Sequence, residues 1–240
     1  MSTTAANPSP LSLRDVFKIG SFRRLWMAQL VSIFGDFLAI FGVISLITFR
    51  WHGTPLQVTN VLIAYMIPAT IIGPMAGVFV DRWNVKRTMI SSDLIRAVLI
   101  VGLVFVGSVS GIQHRLEIIY VIFFLVSTVS SFFGPAQSVT LRTLVPMHGL
   151  LSANALMAQA FYTMRIISPA LAGMLVYLVG ENSCFYLDSL SFFFSAGMLS
   201  TIAILRAVAQ RSPQEKNVRS LVQDYTAGSR FIWDIRRSPS

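Results

Sequence analysis

Apolar residues run through this chain in long blocks, not in the one-sided patterns of soluble helices or half-buried strands. Six blocks, at about 24–49, 56–80, 88–108, 118–141, 153–179 and 184–205, match the roughly 20 helical residues needed to cross a hydrocarbon core about 30 Å thick. They predict an all-α polytopic membrane protein with six transmembrane helices. Residues 1–21 are polar and punctuated by Pro8, Pro10 and serines, with no short apolar core leading to a small-residue cleavage site. They read as a tail, not a signal peptide. Residues 22–206 form the bundle, and 207–240 read as a linker. Within that linker Val218, Leu221, Val222, Tyr225 and Ile232 give 218–235 an amphipathic pattern suited to a helix at the membrane face.

Composition agrees. Hydrophobic residues make up 54% of the 240 and charged residues 12%, about half the usual share in soluble domains. That excludes disorder and an ordinary soluble surface. The net charge of +9 would suggest nucleic acid, but its placement says otherwise. Fifteen of the nineteen basic residues precede span 1, separate spans 2 and 3, close span 4 or follow span 6, whereas the opposite loops hold Arg50 and Arg115. This bias places both termini in the cytoplasm and the protein in the cytoplasmic (inner) membrane, in contact with lipid and not with nucleic acid.

Catalytic chemistry is not expected. The single cysteine, Cys184, cannot form an internal disulfide or a cysteine-based zinc cluster. His52, His114 and His148 lie outside the spans, and no phosphate-binding glycine loop is present. The sequence implies no enzyme, no cofactor and no metal site.

Span 2 carries Ile67-Pro68-Ala69 and Gly73-Pro74-Met75-Ala76-Gly77, and span 5, three spans later, carries Ser168-Pro169-Ala170-Leu171-Ala172-Gly173. Proline and small residues at corresponding places suggest a 3+3 inverted repeat. The Gly73–Gly77 and Gly107–Gly111 spacings fit close helix packing, though such pairs are common by chance.

Between spans 2 and 3 runs Gly77-Val-Phe-Val-Asp81-Arg82-Trp-Asn84-Val-Lys86-Arg87. It resembles the signature loop of the major facilitator superfamily, with Phe79 and Asn84 standing where that pattern has leucine and a second glycine. Asparagine tolerates a left-handed turn better than other non-glycine residues, so the turn is expected to survive. Gly77 is expected to allow close approach of a helix, and Asp81 to accept hydrogen bonds from a helix N-terminus. Arg82, Lys86 and Arg87 are expected to pair with acidic side chains or lipid phosphates, or simply to mark the cytoplasmic side. Looser stretches, among them Phe22-Arg-Arg-Leu-Trp26, Gly35-Asp36, Leu144-Val-Pro146 and Phe185-Tyr-Leu-Asp188, resemble the branch with macrolide-efflux and enterobactin exporters. That resemblance implies half of a twelve-span fold. It also implies drug:proton antiport by alternating access, and a second six-helix bundle, either a missing C-terminal half or another chain, whose helix would receive Asp81.

Charges inside a membrane are costly and need a partner or water. Asp36 and Arg165 each lie about 12 residues into spans 1 and 5, roughly 18 Å deep at 1.5 Å per residue. The resemblance makes those spans neighbours, so an Asp36–Arg165 pair, or a shared aqueous cavity, is expected. Asp36 is then the candidate proton-coupling carboxylate. Asp188, nearer the outer interface, suits a structural hydrogen-bonding role, and Asp93 with Arg96 at i, i+3 suits an internal ion pair supporting the loop. Gln29, Asn60, Tyr65, Gln137, Gln159, Tyr162 and Met164 are candidate cavity-lining residues for a small amphiphilic substrate.

The leading expectation is the N-terminal half of a proton-coupled exporter of a drug-like or siderophore-like molecule, a fragment of a longer transporter in preference to a self-sufficient half. The alternatives are a non-transporting six-helix membrane module, or an inactive fragment. The membrane domain of an ATP-driven exporter is disfavoured by the short loops between spans 2–3 and 4–5.

Overall fold

A computed structural model describes residues 10–108 and 114–203, with the side chains of 107 and 108 left out. The expected amphipathic segment at 218–235, and the basic residues after 203, lie outside the described residues. Every regular element in the described part is helical.

The chain begins with a short helix, α1 (Leu13–Lys18), inside the stretch expected to be a tail. Ser12 caps it by accepting from the Asp15 amide, and Asp15 also pairs with Lys18 at 2.9 Å. The Ser12 hydroxyl and Lys18 hold the Asp15 carboxyl below the ordinary aspartate range. α1 is docked, not loose. Val16 is fully buried, the Leu11 amide donates to the His148 carbonyl at 3.1 Å, and Ser152 Oγ donates to the Leu11 carbonyl at 2.6 Å. A Cβ on Gly149 would sit 2.9 Å from Leu11 Cδ1, so the glycine makes this seat possible.

α2 (Gly20–Ser45) continues through a π-helical turn, Leu46–Arg50. His52 takes a left-handed conformation (φ 49°) in the turn that follows. Gln57 Oε1 then accepts from the Thr54 amide, with Pro55 opening α3.

α3 (Pro55–Ile71) and α4 (Gly73–Val80) are two pieces bent by 46°. The cause is chemical: Pro68 and Pro74 each lack an amide hydrogen, and Pro74 cannot bond back to the Thr70 carbonyl. The corresponding proline in span 5, Pro169, leaves its helix continuous, as does Pro135 in the fourth long segment. The two halves are thus not bent alike.

α5 (Val85–Ser108), α6 (Arg115–Leu144), a 3₁₀ turn at Met147–Gly149, α7 (Leu150–Val179) and α8 (Asn182–Ser200) complete the fold. Gly180, at φ 96°, provides the left-handed turn between α7 and α8. α2 lies at the centre, packed on α7 and α8; α5 packs on α6 and α8, and α3 and α4 on α6. One apolar cluster, with Val43, Ile47, Ile100, Phe123 and Phe185, fills one end of the bundle. A second, with Phe22, Leu25, Met89, Leu141 and Leu199, fills the other.

Length and composition qualify four helical stretches as membrane spans: Gly20–Arg50, Val85–Val106, Arg115–Leu144 and Met147–Val179. The bent pair makes a fifth. α8, where a sixth was expected, is 19 residues long and carries Asn182, Asp188 and five serines, which lower its hydropathy.

The loop between α4 and α5 differs from expectation in three ways. Asn84 does not take a left-handed turn; its side-chain oxygen accepts from the Arg87 amide at 3.1 Å and caps α5. Lys86 neither meets an acid nor stands free: its Nζ donates to the Ser200 and Ile202 carbonyls at 2.6 and 2.8 Å. Arg24 adds a bond to the Thr201 carbonyl at 2.9 Å. Two cations therefore close the C-terminus of α8, where orphan carbonyls and the helix dipole favour positive charge. Lastly, Trp83 stacks on Phe132 of α6, 5.6 Å between centroids, and seats the loop. We expect Lys86→Met to cost about 1 kcal/mol, read as a lower thermal midpoint in detergent. An unchanged midpoint would make the contact incidental.

Candidate functional site

The functional candidates converge on one buried group of charges in the middle of the bundle, contributed by α2, α5 and α8. Arg96 of α5 is its hub and is only 4% exposed. Asp93, one turn earlier on the same helix and fully buried, forms a close charge-assisted hydrogen bond with Arg96 Nη2. This is the i, i+3 pair expected from spacing. Arg96 Nη1 lies 3.8 Å from Asp36 Oδ2, an ion pair without a direct hydrogen bond, and 3.4 Å from Ser130 Oγ of α6. The guanidinium is sandwiched between Phe192, 4.2 Å to the ring centroid, and Phe133, 4.9 Å. Two aromatic faces at those distances supplement its ion pairs where water is excluded.

Asp188 of α8 completes the group. It is fully buried; Oδ2 has no hydrogen-bond partner among the described residues, and Oδ1 has only Ser191 Oγ at 3.4 Å. It faces Gly35, where an added Cβ would come within 2.4 Å of Asp188 Oδ1 and 2.2 Å of Ser191 Oγ. One heptad further along α2, a Cβ on Gly42 would be 2.9 Å from the Cys184 Cβ. Gly35 and Gly42 are the residues that let the side chains of α8 close against the α2 backbone. Ser189 Oγ, donating to the Ala97 carbonyl at 3.1 Å, ties α8 to α5 on its other side.

The Asp36–Arg165 pair is not formed. Arg165 is exposed on α7 and makes no ion pair among the described residues. Arg96 takes its place. Equal depth in two neighbouring helices does not make two side chains face each other, because rotation about each axis also has to match. Of the four charges in the cluster, Asp36 alone keeps appreciable exposure, 23% of its side chain.

The cavity candidates separate into two sets. Tyr65 is half-buried with its ring edge-on to Phe123 at 6.1 Å, and Gln137 donates to Met157 Sδ at 3.6 Å. Gln29 is also half-buried, its Oε1 lacking a hydrogen-bond partner. Asn60, Gln159 and Tyr162 are exposed, and Met164 is partly so. The sequence reading missed Phe133, Phe192 and Ser191, whose only signal was their spacing on helices later found to adjoin Arg96 and Gly35.

In the signature loop, Asp81, Arg82 and Arg87 are exposed, and Asp81 has no ion-pair partner among the described residues. Gly77 and Gly73 border open space, with no heavy atom within 4 Å of an added Cβ. Close approach at Gly77 is therefore absent among the described residues. We expect Gly77→Ala to leave stability unchanged or to raise it by about 0.5–1 kcal/mol, the ordinary gain of alanine over glycine in a helix. Thermal unfolding of the purified chain checks this, and a clear loss would mean that the glycine is already packed here.

Comparison with known proteins places this geometry. The family model described as transmembrane secretion effector matches residues 12–236. The MFS-type transporter YfiS of Bacillus subtilis is 30% identical over 195 residues, covering 80% of this chain and 45% of YfiS. Macrolide efflux protein A of Streptococcus pyogenes is 25% identical, covering 77% of this chain and 44% of its own length. The multidrug efflux pump Tap of Mycolicibacterium fortuitum is 21% identical, covering 79% and 48%. No solved structure gives a significant match. The chain spans about half the length of these relatives. With a family match over nearly the whole chain, relatives that are transporters and several helices fit to cross a bilayer, the chain is an integral membrane protein belonging to the transmembrane secretion effector family of major facilitator superfamily transporters.

Proposed function

We propose that this chain forms the N-terminal half of a twelve-span exporter that expels a small amphiphilic molecule, such as a drug or siderophore, in exchange for protons. The observation that carries the reading is the charge cluster across α2, α5 and α8. Ionisable groups at that depth are expensive and mark ion pathways, and Asp36 is the member whose side chain stays partly exposed. Asp36 is the coupling carboxylate, and Arg96, not Arg165, tunes it.

Six helices in a 3+3 inverted repeat make up this half, with α8 as the sixth and both termini in the cytoplasm of a bacterial inner membrane. The exposed apolar residues on α3 and α4, including Met66, Ile71 and Met75, and those on α7, including Ile166 and Met174, face lipid or a second six-helix bundle. Open space at Gly77, and Asp81, which pairs with no cation among the described residues, belong to that second interface, which alternating access makes and breaks.

Dye efflux from cells expressing the chain, alone and together with the remaining half of a twelve-span relative, tests the reading. Export that follows the proton gradient is expected in the paired case, and Asp36→Asn is expected to abolish the gradient dependence. Unchanged gradient dependence in Asp36→Asn would remove the coupling role, and no efflux in either case would favour a non-transporting module.

A further inference from the structure

We propose that Asp188 is a proton-binding site, carrying its proton as a neutral carboxylic acid here, and that this proton keeps α8 seated against α2 at Gly35. The inference rests on the proton-coupled reading only for its use in transport; the protonation itself stands on geometry.

Three carboxylates, Asp36, Asp93 and Asp188, surround one guanidinium, Arg96. Fully ionised, the group would hold two uncompensated negative charges among buried side chains. Carboxylates crowded in this way titrate as a set, and at least one keeps its proton. The partners decide which. Asp93 is bound directly by Arg96 Nη2, and Asp36 has Arg96 Nη1 and a partly exposed side chain. Asp188 has neither. It is fully buried, forms no ion pair among the described residues, and its Oδ2 lacks a partner. Its one polar neighbour, Ser191 Oγ, is better directed at the Asp188 carbonyl, 2.7 Å away. The charged and titratable groups around it are Asp36 of α2, Tyr65 of α3, Asp93 and Arg96 of α5, and the Cys184 thiol one turn earlier on α8 itself. Every one of these that is anionic opposes ionisation of Asp188, and Arg96 is already engaged.

Gly35 couples the proton to conformation. The α2 backbone lies over Asp188 so closely that no side chain fits between them, and Asp36 is the next residue. Loss of the proton would place a second carboxylate beside Asp36 across this contact, and like charges there drive α2 and α8 apart.

Infrared spectroscopy of the chain in an ester-free maltoside detergent reads the proton through the carbonyl band of a protonated carboxyl. The band is expected at neutral pH in the unaltered chain, lost in Asp188→Asn and kept in Asp36→Asn. Absence of the band from the unaltered chain, or its survival in Asp188→Asn, overturns the assignment even if one variant folds poorly. Cys184, buried on α8 against α2, reports the coupling. As alkaline pH removes the band, labelling of Cys184 by a thiol reagent should rise above that of Asp188→Asn at the same pH; a carboxylate at Asp188 disfavours the nearby thiolate, so thiol ionisation cannot itself produce that rise. Equal labelling overturns the latch. Neither readout measures flux, so failure here is distinguishable from failure of the transport reading.

Discussion

Arg96→Gln is expected to cost the chain about 3–5 kcal/mol, the usual loss when one member of a buried ion pair is removed. Glutamine keeps a donor but no charge. Asp93, fully buried, would lose its direct partner, and Asp36 its nearest cation. The rings of Phe133 and Phe192 would be left facing a side chain too small to fill the space between them. Arg96→Lys should recover only part of the loss. An ammonium cannot span Asp93 and Asp36 with two forks, nor stack flat between two rings. The double variant Arg96→Met with Asp93→Leu should recover more, since it strands only the partly exposed Asp36 and no longer the fully buried Asp93. The buried thiol of Cys184 gives the measurement: its reactivity toward a fluorogenic maleimide on heating follows loss of the fold. If Arg96→Gln melted within about 1 kcal/mol of the unaltered chain, the cluster would not be held by charge, and Arg96 would lose its place as the hub.

The second large effect is steric. Gly35→Val is expected to cost about 3 kcal/mol, the upper end of the ordinary range for overpacking. A first carbon at Gly35 already falls 2.9 Å from Ser191 Cβ, an atom that a rotamer change cannot move, besides its clashes with Ser191 Oγ and Asp188 Oδ1. α2 and α8 must then separate. Gly35→Ala should cost less, and adding Ser191→Ala should return part of that loss by removing the hydroxyl. Gly42→Val should rank below Gly35→Val, because both meet a fixed Cβ at 2.9 Å but only Gly35 also meets two side-chain oxygens, at 2.2 and 2.4 Å. Thermal midpoints for the series give the order directly. Equal midpoints for Gly35→Val and Gly77→Val would mean that the α2–α8 contact yields easily, and that close approach there is not what holds the bundle.

Much of this was written along the chain. Long apolar blocks gave the helices, since a membrane leaves a spanning backbone no other way to satisfy its own polar groups except a closed barrel. Pro74 accounts for the 46° bend, but its missing amide did not make the bend legible in advance, since Pro135 and Pro169 leave their helices continuous. The Asp93–Arg96 pair followed from a spacing of three, which puts two side chains on one face. The loop from Gly77 to Arg87 pointed to the family.

What the sequence could not supply was rotation and neighbourhood. Depth along a helix follows from counting residues at 1.5 Å each, so Asp36 and Arg165 matched in height; only packing decided that Asp36 turns toward Arg96 on α5. The glycine in the recognisable loop, Gly77, borders open space, whereas Gly35 and Gly42 bear the contact with α8. Lys86 reads like any basic loop residue until the end of α8 is brought to its ammonium. Each of these depends on residues about 60 to 156 positions apart, or on a turn of a helix about its own axis. Local sequence sets which helices form and how long they are. Which faces meet, and so which charges share one buried site, is set by side-chain fit between helices, and only the tertiary structure contains it.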